Sequence, residues 1–158
     1  MSAYCAEIDV EGLTGKLYGS SSKPTTTNIT SWISSISNKA DVALYSAGIS
    51  TPVVVGTSPV SYDVLKYLVA IKVAAMAEKS VLVGQTENAM PKRVIDWEKE
   101  WDDFLRDITG FNEDGEYVGR KMILPDVTKR SGSAFVPSSP SVEDGEDKTW
   151  EFIRGEEH

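Results

Sequence analysis

Apolar residues return at helical spacing in three long stretches, and the longest, 59–83 (PVSYDVLKYLVAIKVAAMAEKSVLV), organises the rest. On a 3.6-residue repeat Val64, Leu68, Ile71, Ala75 and Leu82 share one stripe. Ala70, Ala74 and Ala77 form a neighbouring strip of small side chains on which another helix can sit closely. Ser58-Pro59 predicts its start, with a hydroxyl for the orphan N–H groups and then a residue lacking one. Gly84 predicts its stop. Lys66, Lys72, Glu78 and Lys79 interrupt the apolar runs, which rules out a membrane span here.

The second stretch, 28–47, places Ile29, Trp32, Ile33, Ile36, Ala40, Ala43, Leu44 and Ala47 on one face. Ser31, Ser34, Ser35, Asn38 and Asp41 take the other, with Asn28 as the expected N-cap and Gly48 as the stop. With seven apolar companions, Trp32 reads as core rather than as a ligand platform. The third stretch, 91–109, has Pro91 near N1, Gly110 after it, and Val94, Trp97, Trp101, Phe104, Leu105 and Ile108 on one side. A shorter helix is predicted over 9–18, capped by Asp9, with Val10, Leu13 and Leu17 aligned; Gly12 and Gly15 weaken it by about 1 kcal/mol each.

Between these stretches, 19–27 is loop by composition and 49–59 is an extended linker in which Val53–Val55 either make a short strand or cover the helices. Asp114-Gly115 signals a tight turn, and extended-looking residues flank it, so a small β-hairpin-like element is expected over 111–130. The expected organisation is therefore a mainly α helical bundle over 1–110, this extension, and an acidic arm over 131–158.

The arm holds two basic residues against seven acids, too polar to build a core. Trp150, Phe152 and Ile153 nevertheless alternate in KTWEFIR, and Phe135 and Val136 form a second apolar pair. Such residues are candidate anchors on a partner, for example by strand addition.

Composition narrows the chemistry. The 158 residues suffice for one core without disulfides or metals, at 41% hydrophobic and 25% charged. A net charge of −8 and a pI near 4.7 argue against general nucleic-acid binding. Cys5 is the only cysteine and His158 the only histidine, which excludes a Cys/His zinc site and Ser-His-Asp or Cys-His catalysis within the fold. Cys5 reads as a small buried hydrophobe. Asp96, Glu100, Asp103 and Asp107 line one side of the third long stretch, where paired carboxylates suggest a hydrolase or a metal. A solvated acidic face is the commoner outcome, so no enzyme, cofactor or metal is expected. The N-terminus lacks a basic segment followed by an apolar one, so the sequence predicts a chain made and kept in a cytoplasm.

The order of parts resembles a known family. A short helix opening Ala6-x-x-Asp9-Val10 is followed by a polar loop with Pro24-Thr25 and an amphipathic helix ending Leu44-Tyr45-Ser46-Ala47-Gly48. Then come an extended Thr51-Pro52-Val53, an Ala-rich helix, and an aromatic-rich helix closing in Asp107-Ile108-Thr109-Gly110. Over roughly residues 4–110 this resembles the head–tail connector (adaptor) proteins of long-tailed bacteriophages. The resemblance implies a virion structural protein of the neck, assembled in the host cytoplasm. Its subunits would form a ring, usually twelvefold, that binds the portal protein above and a downstream neck or tail protein below, often through C-terminal segments. Twelve copies would carry about −96 formal charges, letting DNA pass without being bound. Such a ring needs two different complementary patches per subunit, for which Tyr62, Tyr67 and Val53–Val55 are candidates. A rival of another class is an acidic cytoplasmic binding protein, or DNA mimic, that blocks a basic nucleic-acid-binding partner.

Overall fold

Four helices and a C-terminal strap make up the described part of the protein, a computed structural model that describes residues 3–82, 90–111, 115–121 and 124–130. The helices are α1 (Glu7–Thr14), α2 (Thr26–Ser46), α3 (Pro59–Val81) and α4 (Lys92–Thr109). The architecture is mainly helical, as the periodicity predicts. α3 is the hub: it packs against all three other helices, α2 also touches α1 and α4, and α1 and α4 do not meet.

That position explains why α3 is so weakly amphipathic. Leu65, Leu68, Val69, Ile71, Val73, Ala74, Ala75 and Ala77 are all buried, covering nearly the whole circumference of its middle turns. The alanines at 70, 74 and 77 keep backbones close, as expected, whereas Val64 and Leu82 are only half-buried. Among its charged residues Glu78 is buried, and it is answered from two sides. Lys16 Nζ and Arg93 Nη2 each lie 3.0 Å from its carboxylate, tying the loop after α1 and the start of α4 to α3.

Helix ends deviate from the sequence reading in instructive ways. α1 begins two residues before Asp9, which sits at N3 and accepts the Ala6 N–H at 2.8 Å. It ends at Gly15 with φ +69°, so Leu17 lies beyond the helix and is 85% exposed rather than aligned with the core. α2 is capped by Thr25, not Asn28; the two residues exchange bonds, Asn28 N–H to Thr25 Oγ1 and Thr25 N–H to Asn28 Oδ1. Gly48 (φ +78°) ends it as expected. Ile49 N–H bonds Leu44 O and Gly48 N–H bonds Tyr45 O, the paired 6→1 and 5→2 bonds of a Schellman stop. All the α2 face residues named above are buried except Trp32, which is half-buried against the core.

Ser37 was placed on no face by the periodicity, yet it is fully buried and its Oγ accepts the Tyr4 N–H at 3.1 Å. The Tyr4 hydroxyl donates to Asp41 and accepts the Val53 N–H at 3.0 Å. Burial and the Asp41 hydrogen bond both push the Tyr4 hydroxyl upward, so it stays protonated. Val53 thus covers the helices, while Val54 and Val55 face solvent and form no strand. Cys5 is buried as expected, and burial pushes its thiol up to about 12.

Among the described residues of 111–130 no continuous strand forms. Described residues there make two isolated antiparallel bridges, Phe111 with Tyr117 and Ile49 with Lys129. Other hydrogen bonds of these residues reach the bundle. Val118 N–H bonds Gly110 O across the Phe111–Tyr117 bridge, whereas Lys121 N–H bonds Asp107 O of α4 and the Arg120 guanidinium donates to Ala47 O at 2.7 Å. Leu124 is buried, and Ser50 N–H to Thr128 O and Arg130 N–H to Gly48 O stitch the last described residues to the end of α2. The segment is a strap running from the C-terminus of α4, past that of α2, to the N-terminus of α3.

At that last point the strap does what Ser58 was expected to do. Ser58 makes no capping bond; its hydroxyl donates to Asp126 O at 2.8 Å. The Asp126 carboxylate accepts the N–H groups of Val60 (2.9 Å) and Ser61 (3.0 Å), together with the Ser61 hydroxyl. These bonds, the Ser61 hydroxyl foremost, hold the Asp126 carboxyl below its usual range. A carboxylate at a helix N-terminus also complements the helix dipole.

Candidate protein-interaction site

Two surfaces of opposite character lie at the end of the bundle where α3 begins and α2 and α4 finish. The first is an open groove of about 550 Å³ between α3 and α4. Val64, Leu68 and Phe104 supply its apolar surface; Asp63, Tyr67, Glu100, Asp103 and Asp107 supply the polar one. Three of the four acidic residues singled out on α4 therefore converge here, while Asp96 pairs with Lys92 one turn away at 3.4 Å. Arg106 is the counter-cation, at 2.7 Å from Asp103 and 3.5 Å from Asp107. The Tyr67 hydroxyl donates to Glu100 at 3.2 Å, and burial together with that carboxylate raises its pKa. Asp63 and Tyr67 also border a smaller groove toward α1, lined with Leu13, Lys66 and Ala70. α3 thus shows an open face flanked by α1 and α4.

The second surface is built by the strap. Phe111 and Tyr117 stack edge to face with centroids 5.4 Å apart. They are held over Gly110, whose φ of +80° lets the chain leave α4 sharply. With Val118, and with Tyr45 at the end of α2, they leave four large apolar side chains about half exposed. Cations accompany them. The Arg130 guanidinium sits 3.8 Å from the centre of the Tyr45 ring, and Arg120 reaches the α2 carbonyls. Lys121 and Lys129 are exposed beside these two arginines.

The residues proposed from sequence as surface contacts separate sharply. Tyr67 is exposed and central to the groove; Tyr62 turns inward, its ring 5.8 Å from Tyr4, and Val53 is core. The anchors expected in the arm, Trp150, Phe152, Ile153, Phe135 and Val136, lie outside the described residues. Sequence reasoning missed Tyr45, Phe111, Tyr117 and Val118. In the sequence they stand as one aromatic residue off the helical stripe, Tyr45, and three apolar residues within two positions of a glycine.

Chemically, both surfaces suit protein contact. Among the described residues no group of three or more His, Cys, Asp or Glu side chains is placed to hold a metal ion. No described helix is long and apolar enough to cross a membrane. No family model, curated protein or solved structure matches the chain.

Proposed function

We propose that this protein is a structural, non-enzymatic subunit of a bacteriophage head–tail connector: a ring component, dodecameric in the family, that sits in the virion neck, binds the portal protein and a downstream neck or tail protein, and extends the DNA channel. The observation that carries the reading is the sequence of helices, one short and three long, centred on an Ala-rich hub and closed by an aromatic-rich helix. That is the order of parts on which the family resemblance rests. An exposed aromatic and cationic strap beside an acidic groove supports it further, since both suit assembly with other proteins. The negative charge of the whole chain fits a channel past which DNA must slide.

The test is native mass by light scattering, first for the protein alone and then after mixing with purified portal rings. A ring by itself, or a monomer that adds stoichiometrically to portal, is the expected result. A monomer indifferent to portal, combined with competition against DNA for a basic partner, would replace this reading with that of a DNA mimic.

A further inference from the structure

The geometry points to a head-to-tail contact between copies of this chain, in which the strap surface of one subunit seats in the α3–α4 groove of the next. The inference rests on the ring reading and gives it an interface. Two observations choose a second copy as the occupant. First, the surfaces are complementary in charge. The groove sets four carboxylates, Asp63, Glu100, Asp103 and Asp107, against the single guanidinium of Arg106. Over residues 111–130 the sequence balances four cations with four acids, Glu113, Asp114, Glu116 and Asp126. The cations Arg120, Lys121, Lys129 and Arg130 nevertheless gather at the end of α2, where Arg120 donates to Ala47 O and Arg130 N–H bonds Gly48 O, and it is this cluster that faces the groove's charge. Second, they match in apolar character. The groove offers Val64, Leu68 and Phe104 beside an exposed Tyr67, and the strap offers Tyr45, Phe111, Tyr117 and Val118.

A patch that mixes exposed aromatics with arginine is the composition found at interface cores. Because the two patches differ, the contact is heterologous. Each subunit donates its strap to one neighbour and its groove to another, which is the arrangement a closed ring requires. Tyr67 would be the aromatic centre of the groove side, and Tyr45 under Arg130 that of the strap side.

The experiment uses the full chain. Self-association is measured by sedimentation velocity across a concentration series at low and high salt. Zero-length carboxylate-to-amine crosslinking is then applied to a mixture of light and nitrogen-15-labelled protein. Mixed-isotope crosslinks joining Lys121 or Lys129 to Glu100, Asp103 or Asp107 are expected, and added salt should weaken association. Two double variants, K121E/K129E on the strap and E100K/D103K on the groove, should each weaken association at least about tenfold. Mixed together they should associate again, because every strap then meets a groove of opposite sign.

Two results would overturn the proposal. One is association of the native chain that neither double variant disturbs. The other is a native chain without mixed-isotope crosslinks at any concentration tested. Circular dichroism of each variant separates loss of contact from loss of fold, and the mixing rescue requires both to be folded. Portal binding without the strap–groove crosslinks would leave the connector reading standing and remove this interface; the crosslinks without portal binding would do the reverse.

Discussion

Gly110 is the hinge on which the strap turns, and replacing it with alanine tests whether that turn is as tightly built as it looks. Two effects oppose the Cβ. The left-handed conformation at φ +80° disfavours any L side chain by about 1–2 kcal/mol. The new methyl would also stand 2.7 Å from Tyr117 Cε2 and 3.1 Å from both Arg120 N and the Gly119 carbonyl carbon. The Tyr117 ring can swing away, but that breaks its edge-to-face contact with Phe111, and the backbone atoms remain. Overpacking of this kind costs about 1–3 kcal/mol. The sum is about 2–5 kcal/mol for Gly110→Ala.

Gly15 is the internal control: it has φ +69° and no heavy atom within 4 Å of an added Cβ, so Gly15→Ala should show the conformational part alone, about 1–2 kcal/mol. Urea unfolding followed by tryptophan fluorescence compares the two, with unchanged slopes confirming that midpoints report stability. Tyr117→Ala in the Gly110→Ala background should recover part of the loss, since it removes the nearest atom. Equal costs at positions 15 and 110 would refute the close approach and, with it, the strap's fixed departure from α4.

Other outcomes follow from the same contacts. Tyr4→Phe leaves the Val53 N–H and the Asp41 carboxylate without their buried partner and should cost about 1–3 kcal/mol in the same urea assay. Glu78→Ala removes the acceptor of both Lys16 and Arg93; because those two cations are partly exposed and can rehydrate, the expected loss is about 2 kcal/mol, below that of a fully buried pair. Asp126 is held below its usual pKa when folded, so its contribution is complete above the ordinary carboxylate pKa of about 3.9 and is lost as pH falls through the lower folded value. Denaturant midpoints from pH 6 to pH 2 should therefore fall less steeply for Asp126→Asn than for the native chain. Ala74→Leu, at a position with no exposed surface between packed helices, should destabilise by about 1–3 kcal/mol, read as a lower melting temperature.

The helices were legible because amphipathic stripes and glycine stops are local signals. α2 shows this best: its periodic face is its buried face, and Gly48, the expected stop, closes it with both bonds of a Schellman end. α3 was legible as the helix around which the others pack, although a one-stripe reading does not tell that nearly its whole circumference is buried. The caps went wrong for two different reasons. At α2 a reciprocal pair, Thr25 and Asn28, offers two plausible first residues, and the sequence does not rank them. At α3 the hydrogen-bond acceptor comes from Asp126, far along the chain, and no local pattern announces it. Of the β element expected over 111–130 the described residues show one antiparallel bridge, Phe111 with Tyr117, on either side of the Asp114-Gly115 signal. A turn signal specifies a bend but not how far the pairing runs, and beyond the bridge Lys121 N–H bonds Asp107 O of α4. The acidic residues of α4 were visible individually; only the packing of α3 beside them makes a groove of three.

The capping of α3 by Asp126 also has a cost in time. The N–H of Val60 and its acceptor are 66 positions apart, so on the ribosome the helix start is made long before the residue that satisfies it. At a synthesis rate of about 5–20 residues per second, the interval is roughly 3–13 s. During it α3 must rely on α1 and α2, and then α4, for its stability, with its first turn open to water. Chains interrupted before Leu124 would carry all four helices yet never close that end of the bundle. Synthesis of the strap is thus the step that completes the described bundle.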